Sequence, residues 1–542
     1  MFASRSLLLL ASSLACYAAA YNIAIFGPTM AGSQVVWNKR VADELAEAGH
    51  KVTVYALEIF EMERTKIKFD PRVRVKFINA SYGLEEKVLK EAQQAQCYED
   101  LNFWDAKARK AMSFFGDMYK SCEVMLKDEA FFKDIVDSKF DVAFTHMYNF
   151  CPIGIIHKTK IPSWIWLNSG ALLDNVATAM GVPIPPSYCA PALMDAGDKL
   201  NFIQRTKSFI GANLFKLFLN KMTADPETEV FRKKFGADFP HLADLAAEAP
   251  LVMVNSNELY DFPRPTLAKI VNIGGVGMKT KLKNVTEEYA TLVNAAKDGH
   301  VVMTYGSHAP MYLMPDAWRD AFFNAFAQFP NIQFFIRHEK PDEIKSILPK
   351  NVYASKWLPQ TDLLYHPKCK GLISHGGYNS LQDVIHAGVP ILATALFGDQ
   401  FRNANLAERL GLGINMRKPE ISESKIAENI RKMTTDKSLK DAAVKLRSMV
   451  ETKPVSAETL LVKWTEFLAQ HKNLDNLVPV GASLPWYIYH SLDVIVFLGT
   501  IVLLVLTVIF LILRAIVRCV CGCFKSKAPT TNSKTAKSKK NN

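Results

Sequence analysis

Residues 357–400 read WLPQTDLLYHPKCKGLISHGGYNSLQDVIHAGVPILATALFGDQ, and they are the most informative segment for the fold class. Its apolar residues predict a strand over 371–374, a helix over 380–387 and a second strand over 389–393. Two buried strands joined by one helix form the repeating part of a parallel, doubly wound sheet. The sequence therefore predicts an α/β fold in this half of the chain.

His375, Gly376 and Gly377 lie between the first of these strands and the helix. Glycines let the backbone come close to a phosphate, and the free N–H groups at a helix N-terminus attract anions. Asn379 suits the N-cap of the helix, and Gln382, three residues later, would complete a capping box. We predict an anion site at this turn.

The same alternation of strands and helices extends over most of the chain. In the first half, the pattern predicts a helix over 36–48 and strands over 22–26, 51–55, 140–144, 162–167 and 251–255. A second series begins with strands over 301–305 and 332–337. Prolines and glycines gather between 263 and 277, so we place the boundary there. The prediction is an N-terminal domain over 21–270 and a C-terminal domain over 271–485.

Two apolar segments predict how the chain meets a membrane. Residues 1–20 have a charged start, a short apolar run and small residues at the end, which is typical of a cleaved signal peptide. Residues 494–513 are uncharged and long enough, at 20 residues, to span ~30 Å. The positive-inside rule then puts the basic tail, 514–542, in the cytosol and the main body in the lumen.

The tail and one internal segment carry further signals. Lys539 and Lys540 resemble the dilysine signal that retrieves single-pass type I proteins to the endoplasmic reticulum, so we expect the chain in that membrane. Residues 199–222 are apolar, aromatic and basic, and predict a helix that either faces the membrane surface or covers the core. Three cysteines just inside the membrane are either palmitoylated or free thiols, namely Cys519, Cys521 and Cys523.

The charge distribution argues against nucleic acid as a partner. The formal net charge is +12, but nine positive charges and no acidic residue lie within 1–20 and 514–542. The main body is therefore close to neutral and lacks the basic face that phosphate backbones require.

Cysteines and sequons add two expectations for the lumenal part. Its cysteines are odd in number and match no zinc-ligand spacing, so we predict no metal and at least one cysteine without a partner in the chain. A disulfide between Cys97 and Cys122 is one option that the sequence does not decide. Asn79 and Asn284 begin glycosylation sequons.

The string over 357–400 closely resembles the signature of the UDP-glycosyltransferases, the family that contains the UDP-glucuronosyltransferases. The resemblance covers nearly the whole chain, from the signal through the two halves to the single span and the dilysine tail. It implies a GT-B fold, in which two Rossmann-like domains face a cleft. It also implies that a sugar, glucuronate first and glucose as the other option, moves with inversion from a UDP-sugar to a small lipophilic molecule. A role in detoxification and no metal or other cofactor are expected, and the oligomeric state stays open.

The resemblance assigns three groups of residues to the UDP-sugar. The nucleoside would be held by Trp357, Gln360 and Asp383, the last in place of the usual Glu. The phosphates would be approached by Ser307, His375, Gly377, Asn379 and Ser380. The sugar and the donor side would be contacted by Arg337, Asp399 and Gln400. A glucuronate carboxylate would also need a cation, and the sequence does not rank Arg264, His308, Arg337 and Arg402.

The chain departs from its family at the predicted catalytic pair. The family's base is a histidine, and the matching position here is Gln34; the carboxylate that orients that base is replaced by His146. A carboxamide cannot take a proton from an attacking alcohol, and loss of a general base typically costs ~10²–10⁴-fold in rate.

Three hypotheses remain open from the sequence. His146 serves as the base of an active transferase, since the pKa of histidine suits that role. Alternatively, the enzyme prefers nitrogen or acidic nucleophiles, which Gln34 only orients. In the third, the chain is a UDP-sugar-binding partner subunit with little catalytic activity.

Overall fold

The structure, a computed structural model, describes residues 20–30, 32–59, 68–83, 86–99, 105, 117–278, 285–482 and 484–525. The predicted signal peptide, Asn284 and the dilysine tail therefore lie outside the described residues, apart from residue 20. Both sheets belong to one unit that ends at Val478, and a second unit begins at Pro479.

The first sheet has seven parallel strands, formed by apolar runs that are buried between helices. They are β1 (Asn22–Pro28), β2 (Lys51–Glu58), β3 (Arg74–Asn79), β4 (Val142–His146), β5 (Trp164–Asn168), β6 (Leu251–Val254) and β7 (Ile270–Asn272). Their order across the sheet is β3-β2-β1-β4-β5-β6-β7.

The second sheet has six parallel strands in the order β10-β9-β8-β11-β12-β13. They are β8 (His300–Thr304), β9 (Gln333–Arg337), β10 (Val352–Ser355), β11 (Cys369–Ser374), β12 (Ile391–Ala393) and β13 (Gly413–Asn415). These two sheets confirm the predicted α/β fold class.

Nine helices of the first half are described: α1 (Gly32–Glu47), α2 (Glu86–Tyr98), α3 (Tyr119–Leu126), α4 (Glu129–Ser138), α5 (Cys151–Thr159), α6 (Asp174–Ala179), α7 (Phe202–Met222), α8 (Ala224–Phe235) and α9 (Leu242–Ala247). In α1, for example, Trp37, Val41 and Leu45 recur at helical spacing and are buried.

The described helices that follow are α10 (Glu287–Ala295), α11 (Asp316–Ala327), α12 (Pro341–Ile344), α13 (Gln360–Tyr365), α14 (Tyr378–Ala387), α15 (Gln400–Arg409), α16 (Glu423–Thr435), α17 (Lys437–Glu451), α18 (Ala457–His471), α19 (Trp486–Tyr489) and α20 (Leu492–Lys525). Short 3₁₀ turns cover Met311–Leu313, Lys345–Ile347, Lys418–Glu420, Asp475–Leu477 and Val480–Ala482.

The strand orders locate the ligand site. In each sheet the strand order reverses between the first strand and the fourth. The two switch points therefore lie between β1 and β4 and between β8 and β11. In open parallel sheets, ligands bind at such switch points, beyond the carboxyl ends of the strands. Ser307 and His375 lie in the loops after β8 and β11, His146 is the last residue of β4, and Gln34 lies in the first turn of α1, which follows β1. All four were predicted as site residues.

The passage between the two halves lies close to the predicted boundary. Strand β7 pairs with β6 at the edge of the first sheet, so the chain leaves that sheet after Asn272 and the division at 270/271 falls inside β7. Helix α18 returns to the first half, where Leu461 and Leu468 join the core around Ile23 and Val142.

The structure corrects the disulfide option. Cys122 bonds to Cys151, with their Cα atoms 5.8 Å apart, whereas Cys97 is a buried free thiol. Cys97 instead lies on α2, which packs into the core of the second half together with Tyr98. The sequence could not reveal this because α2 crosses from one half to the other.

Helix α20 fits the predicted membrane span. Among the described residues it is the one helix long and apolar enough to cross a bilayer, with a candidate span over Leu492–Cys523 that includes 494–513. The three tail cysteines lie exposed on this helix.

Candidate active site

The His375 ring lies between two glycines at the switch point of the second sheet. A Cβ atom on Gly306 would lie 2.9 Å from Cε1 of His375, and one on Gly377 would lie 2.6 Å from its Nε2. Any side chain at either glycine would therefore displace the imidazole. This is the physical reason for the glycines that the sequence places around His375.

His375 is neutral at physiological pH. Burial, with smaller contributions from the charges of His308 and Arg337, lowers its pKa to about 4. The Nδ1 atom lies 3.1 Å from Oγ of Ser374. When Ser374 donates in this bond, the ring carries its proton on Nε2 and can donate a hydrogen bond to an anion.

The capping box predicted for the following helix is wrong. Helix α14 begins at Tyr378, its N-cap is Gly377, and no side chain caps it. The first N–H groups of α14 are therefore free of a side-chain cap, as an anion site requires. The Gln382 side chain instead donates to Oδ1 of Asn255 and to the Tyr260 hydroxyl, both at 3.0 Å.

Asn379, the second residue of α14, connects the two halves of the molecule. Its Nδ2 donates to the Ser33 carbonyl oxygen at 3.4 Å, and its Oδ1 accepts from Nδ2 of Asn255 at 3.3 Å. A second close approach joins the loops after β1 and β8, because a Cβ atom on Gly32 would lie 3.1 Å from Oγ of Ser307. Ser380 is buried in the same helix.

The predicted nucleoside residues lie together. Nε2 of Gln360 donates to Oδ2 of Asp383 at 2.7 Å, and burial raises the pKa of Asp383. Trp357 is 70% exposed, which leaves indole surface available for stacking. The Arg337 guanidinium lies over that ring, 5.2 Å from its centroid.

Asp399 is the N-cap of α15, and Gln400 is its first residue. Oδ2 of Asp399 accepts from Nδ2 of Asn403 at 2.9 Å, and burial raises the pKa of Asp399. Oε1 of Gln400 is occupied by the backbone N–H groups of Leu396 and Phe397, so only its NH₂ group remains to contact a ligand.

His146 is poorly placed to act as a base. The residue is 4% exposed, and burial lowers its pKa to about 3. Its Nδ1 accepts a hydrogen bond from the backbone N–H of Tyr148 at 3.2 Å. The neutral ring then carries its proton on Nε2, which is buried without a partner among the described residues.

Tyr148 is a site residue that sequence reasoning missed. Its hydroxyl lies 2.7 Å from Oγ of Ser169 and is also hydrogen-bonded by Gln34. Burial, with a contribution from the charge of Asp399, raises the pKa of Tyr148 to about 12. The available signal was position alone, since Tyr148 lies two residues after the end of β4 and Ser169 directly follows β5.

A group of charged residues lies near Asp399. Arg402 pairs with Asp261, and the charge of Arg402 also acts on Asp399 and on Asp174. Nη1 of Arg264 donates to the Leu172 carbonyl oxygen at 3.4 Å. Four buried guanidinium nitrogens have no partner in the described part of the chain, and three of them belong to this group: Nε and Nη2 of Arg264 and Nη1 of Arg402. The fourth is Nε of Arg337.

A small cavity lies beside this group, in the first half. Its lining is mainly apolar but includes one carboxylate and one amine. The lining residues are Asp174, Thr178, Ile184, Pro191, Ala212, Phe215 and Lys216. Across the described ranges, no group of three or more His, Cys, Asp or Glu side chains could hold a metal ion. Asn79 is exposed at the end of β3.

Comparison with known proteins connects this geometry to a family. A family model described as UDP-glucoronosyl and UDP-glucosyl transferase matches residues 25–529. UDP-glucuronosyltransferase 1A1 of Mus musculus is 31% identical over 411 residues, which cover 74% of this chain and 73% of the mouse protein. UDP-glucuronosyltransferase 1A7 of Mus musculus is 28% identical over 504 residues, covering 92% of this chain and 91% of its own.

A solved structure shows the same fold. Os79 from O. sativa, crystallised with U2F and trichothecene, has a TM-score of 0.58 at 15% sequence identity, over 83% of this chain and 100% of the rice chain. The predicted GT-B architecture is thereby confirmed.

Proposed function

The chain belongs to the UDP-glucuronosyl and UDP-glucosyl transferase family, and we propose that it moves glucuronate from UDP-glucuronate to a small lipophilic molecule with inversion. In this reaction the acceptor atom forms a bond to the anomeric carbon while the bond from that carbon to the diphosphate breaks. The electron pair leaves on the terminal phosphate oxygen of UDP. Inversion follows from attack opposite the leaving group.

The diphosphate would bind at the N-terminus of α14. The uncapped N–H groups there and a neutral His375 that donates through Nε2 supply hydrogen bonds to the leaving phosphate. By the family resemblance, Ser307, Gly377, Asn379 and Ser380 would also approach the phosphates. This arrangement can stabilise the departing charge through its own dipoles, so the proposal includes no metal.

The nucleoside would bind on the Trp357 side and the sugar on the Asp399 side. The paired Gln360 and Asp383 offer a carboxylate and an amide to the ribose hydroxyls. Asp399 and the free NH₂ group of Gln400 would hold the sugar hydroxyls.

The unpartnered nitrogens of Arg264 and Arg402 support glucuronate as the donor sugar. A buried guanidinium nitrogen without a hydrogen-bond partner destabilises the protein by about 1–3 kcal/mol or more, because it has lost its hydration. A bound carboxylate would supply the missing hydrogen bond. Arg337 lies over Trp357 and is assigned to the nucleoside side. Burial lowers the pKa of His308, so that residue is not a cation at neutral pH.

The side chains of Gln34, Tyr148 and His146 favour acceptors that attack through a nitrogen or an acidic group. Gln34 is a carboxamide, Tyr148 has a raised pKa and the Nδ1 of His146 is occupied, so none of these groups is suited to remove a proton at pH 7. An amine or a carboxylate already offers its lone pair. The apolar and aromatic content of the first half suits a small lipophilic acceptor.

The second candidate function is a UDP-sugar-binding partner subunit with little activity. The observation that favours it is the replacement of the family's base and its orienting carboxylate by Gln34 and His146. Binding of the nucleotide sugar would then be retained while turnover is lost.

We place the protein in the endoplasmic reticulum as a single-pass type I membrane protein. The signal-like start, the helix α20 and the dilysine-like end support this orientation. The exposed Asn79 would then be accessible for glycosylation in the lumen, and a role in detoxification agrees with a lipophilic substrate.

The test is an assay of membranes that contain the full chain. UDP-glucuronate and UDP-glucose are each offered with a phenol, an amine and a carboxylic acid, and products are identified by mass spectrometry. Conjugation of the amine or the acid with glucuronate supports the proposal. UDP binding without any conjugate would support the partner subunit instead.

A further inference from the structure

Helix α7 is almost entirely exposed although it is rich in large apolar residues. Of its 21 residues, only Ser208 and Leu219 are buried. The exposed fractions of its side chains reach 74% at Phe202, 68% at Leu217 and 60% at Phe209. Six further apolar side chains of the helix are exposed: Ile203, Ile210, Leu214, Phe215, Phe218 and Met222.

Five of the exposed apolar residues lie on the side of α7 that faces away from the protein, namely Phe202, Ile203, Ile210, Leu214 and Leu217, whereas Phe215 lines the cavity. At ~100° per residue, Ile210 lies about 180° from the buried Leu219, and Leu217 lies about 180° from the buried Ser208. The inner side of the helix packs on α6 and α8 and supplies Ala212 to the cavity wall. The outer side has no partner among the described residues.

The charges of α7 select the kind of partner. The helix contains four basic residues and no Asp or Glu. Lys207 and Lys221 lie on the outer side among the exposed apolar residues, and Arg205 lies towards its edge, whereas Lys216 lines the cavity beside Asp174. Long basic side chains that flank an apolar face can reach lipid phosphates while the apolar face enters the acyl boundary.

We infer that α7 is a membrane-surface helix, whose outer face lies in the headgroup region of a bilayer with anionic lipids. The same chain carries the candidate span α20, so a bilayer is present wherever the protein is anchored. With four basic residues, the helix is an interfacial element and is not itself a candidate span. This inference does not depend on the proposed catalytic activity.

The test maps lipid contacts on the full-length protein. The protein is reconstituted in nanodiscs that hold one chain each and contain phosphatidylcholine, phosphatidylserine and a phospholipid with a photoreactive group in its acyl chain. After illumination, the lipid adducts are located by mass spectrometry. Helix α20 is the internal positive control, and the exposed Val136 on α4 and Phe467 on α18 are apolar negative controls.

Adducts on α7 at several-fold the level found at Val136 and Phe467 are expected. Raising the salt concentration, or replacing phosphatidylserine by phosphatidylcholine, should lower the α7 adducts several-fold and leave those on α20 unchanged. Adducts on α20 alone would overturn the inference. In nanodiscs that hold two chains, crosslinks from α7 to the second copy in place of lipid would overturn it as well.

A double variant sharpens the test. Phe209→Glu with Leu217→Glu changes two exposed residues, so folding and UDP binding should persist. The α7 adducts should fall several-fold while those on α20 remain. Phe467→Glu is the matched control and should alter neither, and unchanged α7 adducts in the double variant would contradict the inference.

Discussion

The Nδ1 atom of His146 accepts a hydrogen bond from the backbone N–H of Tyr148, at 3.2 Å. This bond fixes the imidazole within the turn after β4 and occupies the nitrogen that a base would need. His146 therefore positions the Tyr148 backbone and is not itself the base. Under the proposed function, Gln34, Tyr148 and Ser169, which lie close to one another, would face the acceptor.

Replacing His146 by Asn should change the rate of phenol conjugation by less than ~10-fold. The Oδ1 atom of Asn can take the place of Nδ1 in the bond to Tyr148, whereas loss of a true base would cost ~10²–10⁴-fold. The measurement is kcat/KM for a phenol from pH 5 to pH 9. If His146→Asn removes the acidic limb of that profile, His146 is the base.

Replacing Gln34 by His should raise kcat/KM for a phenol by ~10-fold or more and leave that for an amine nearly unchanged. An imidazole with a pKa near ~6.5 can take the phenol proton, which a carboxamide cannot. Ser33→Ala is the matched control, because Ser33 contacts Asn379 through its backbone oxygen. An equal rise in kcat/KM for the phenol and the amine would contradict the hypothesis that the natural enzyme lacks a base.

Arg264→Gln should distinguish the two donors. A lost charge-assisted hydrogen bond to the carboxylate is worth about 1.5–3 kcal/mol, so KM for UDP-glucuronate should rise ~10-fold or more, while KM for UDP-glucose should change little. Arg337→Gln should weaken both donors alike, since Arg337 lies over Trp357. An equal effect of Arg264→Gln on both donors would show that Arg264 does not bind the carboxylate.

The buried Glu227 should make stability fall as pH rises. Its Oε2 accepts from the Phe150 N–H at 2.7 Å, and burial raises the pKa of Glu227 from 4.5 to about 8. Because the folded state holds this proton more tightly than the unfolded state, stability from this group is present below pH ~4.5 and is lost progressively up to pH ~8. Glu227→Gln should therefore have a higher Tm than the natural chain, and this difference in Tm should grow between pH 5 and pH 8.

Glu229→Gln on the same helix is the control for that experiment. Its side chain is 60% exposed and pairs with Arg232, so its effect on Tm should be small and nearly independent of pH. A pH-independent Tm difference for Glu227→Gln would contradict the role given to burial.

Local patterns carried the prediction of the fold. Apolar runs such as Asn22–Pro28 and Cys369–Ser374 form strands because both faces of a parallel sheet are buried, and that requirement is visible in sequence. The family string over 357–400 then identified the architecture. The cap of α14 was mispredicted because Asn379 bonds to Asn255 and Ser33, which lie far away in the chain.

Contacts between distant residues were not accessible from sequence. Cys151, and not Cys97, reaches Cys122 because α2 packs into the second half. Tyr148 was missed because no motif includes it, and the exposure of α7 could not be told from the composition of residues 199–222 alone. Each of these facts depends on tertiary packing.

The preference for nitrogen acceptors can be measured as the ratio of kcat/KM for an amine to kcat/KM for a phenol, with UDP-glucuronate and the full chain in membranes. Because none of the described groups beside Gln34 is a suitable base, we expect the amine to be used at least ~10²-fold more efficiently. A phenol used as efficiently as the amine would contradict this account.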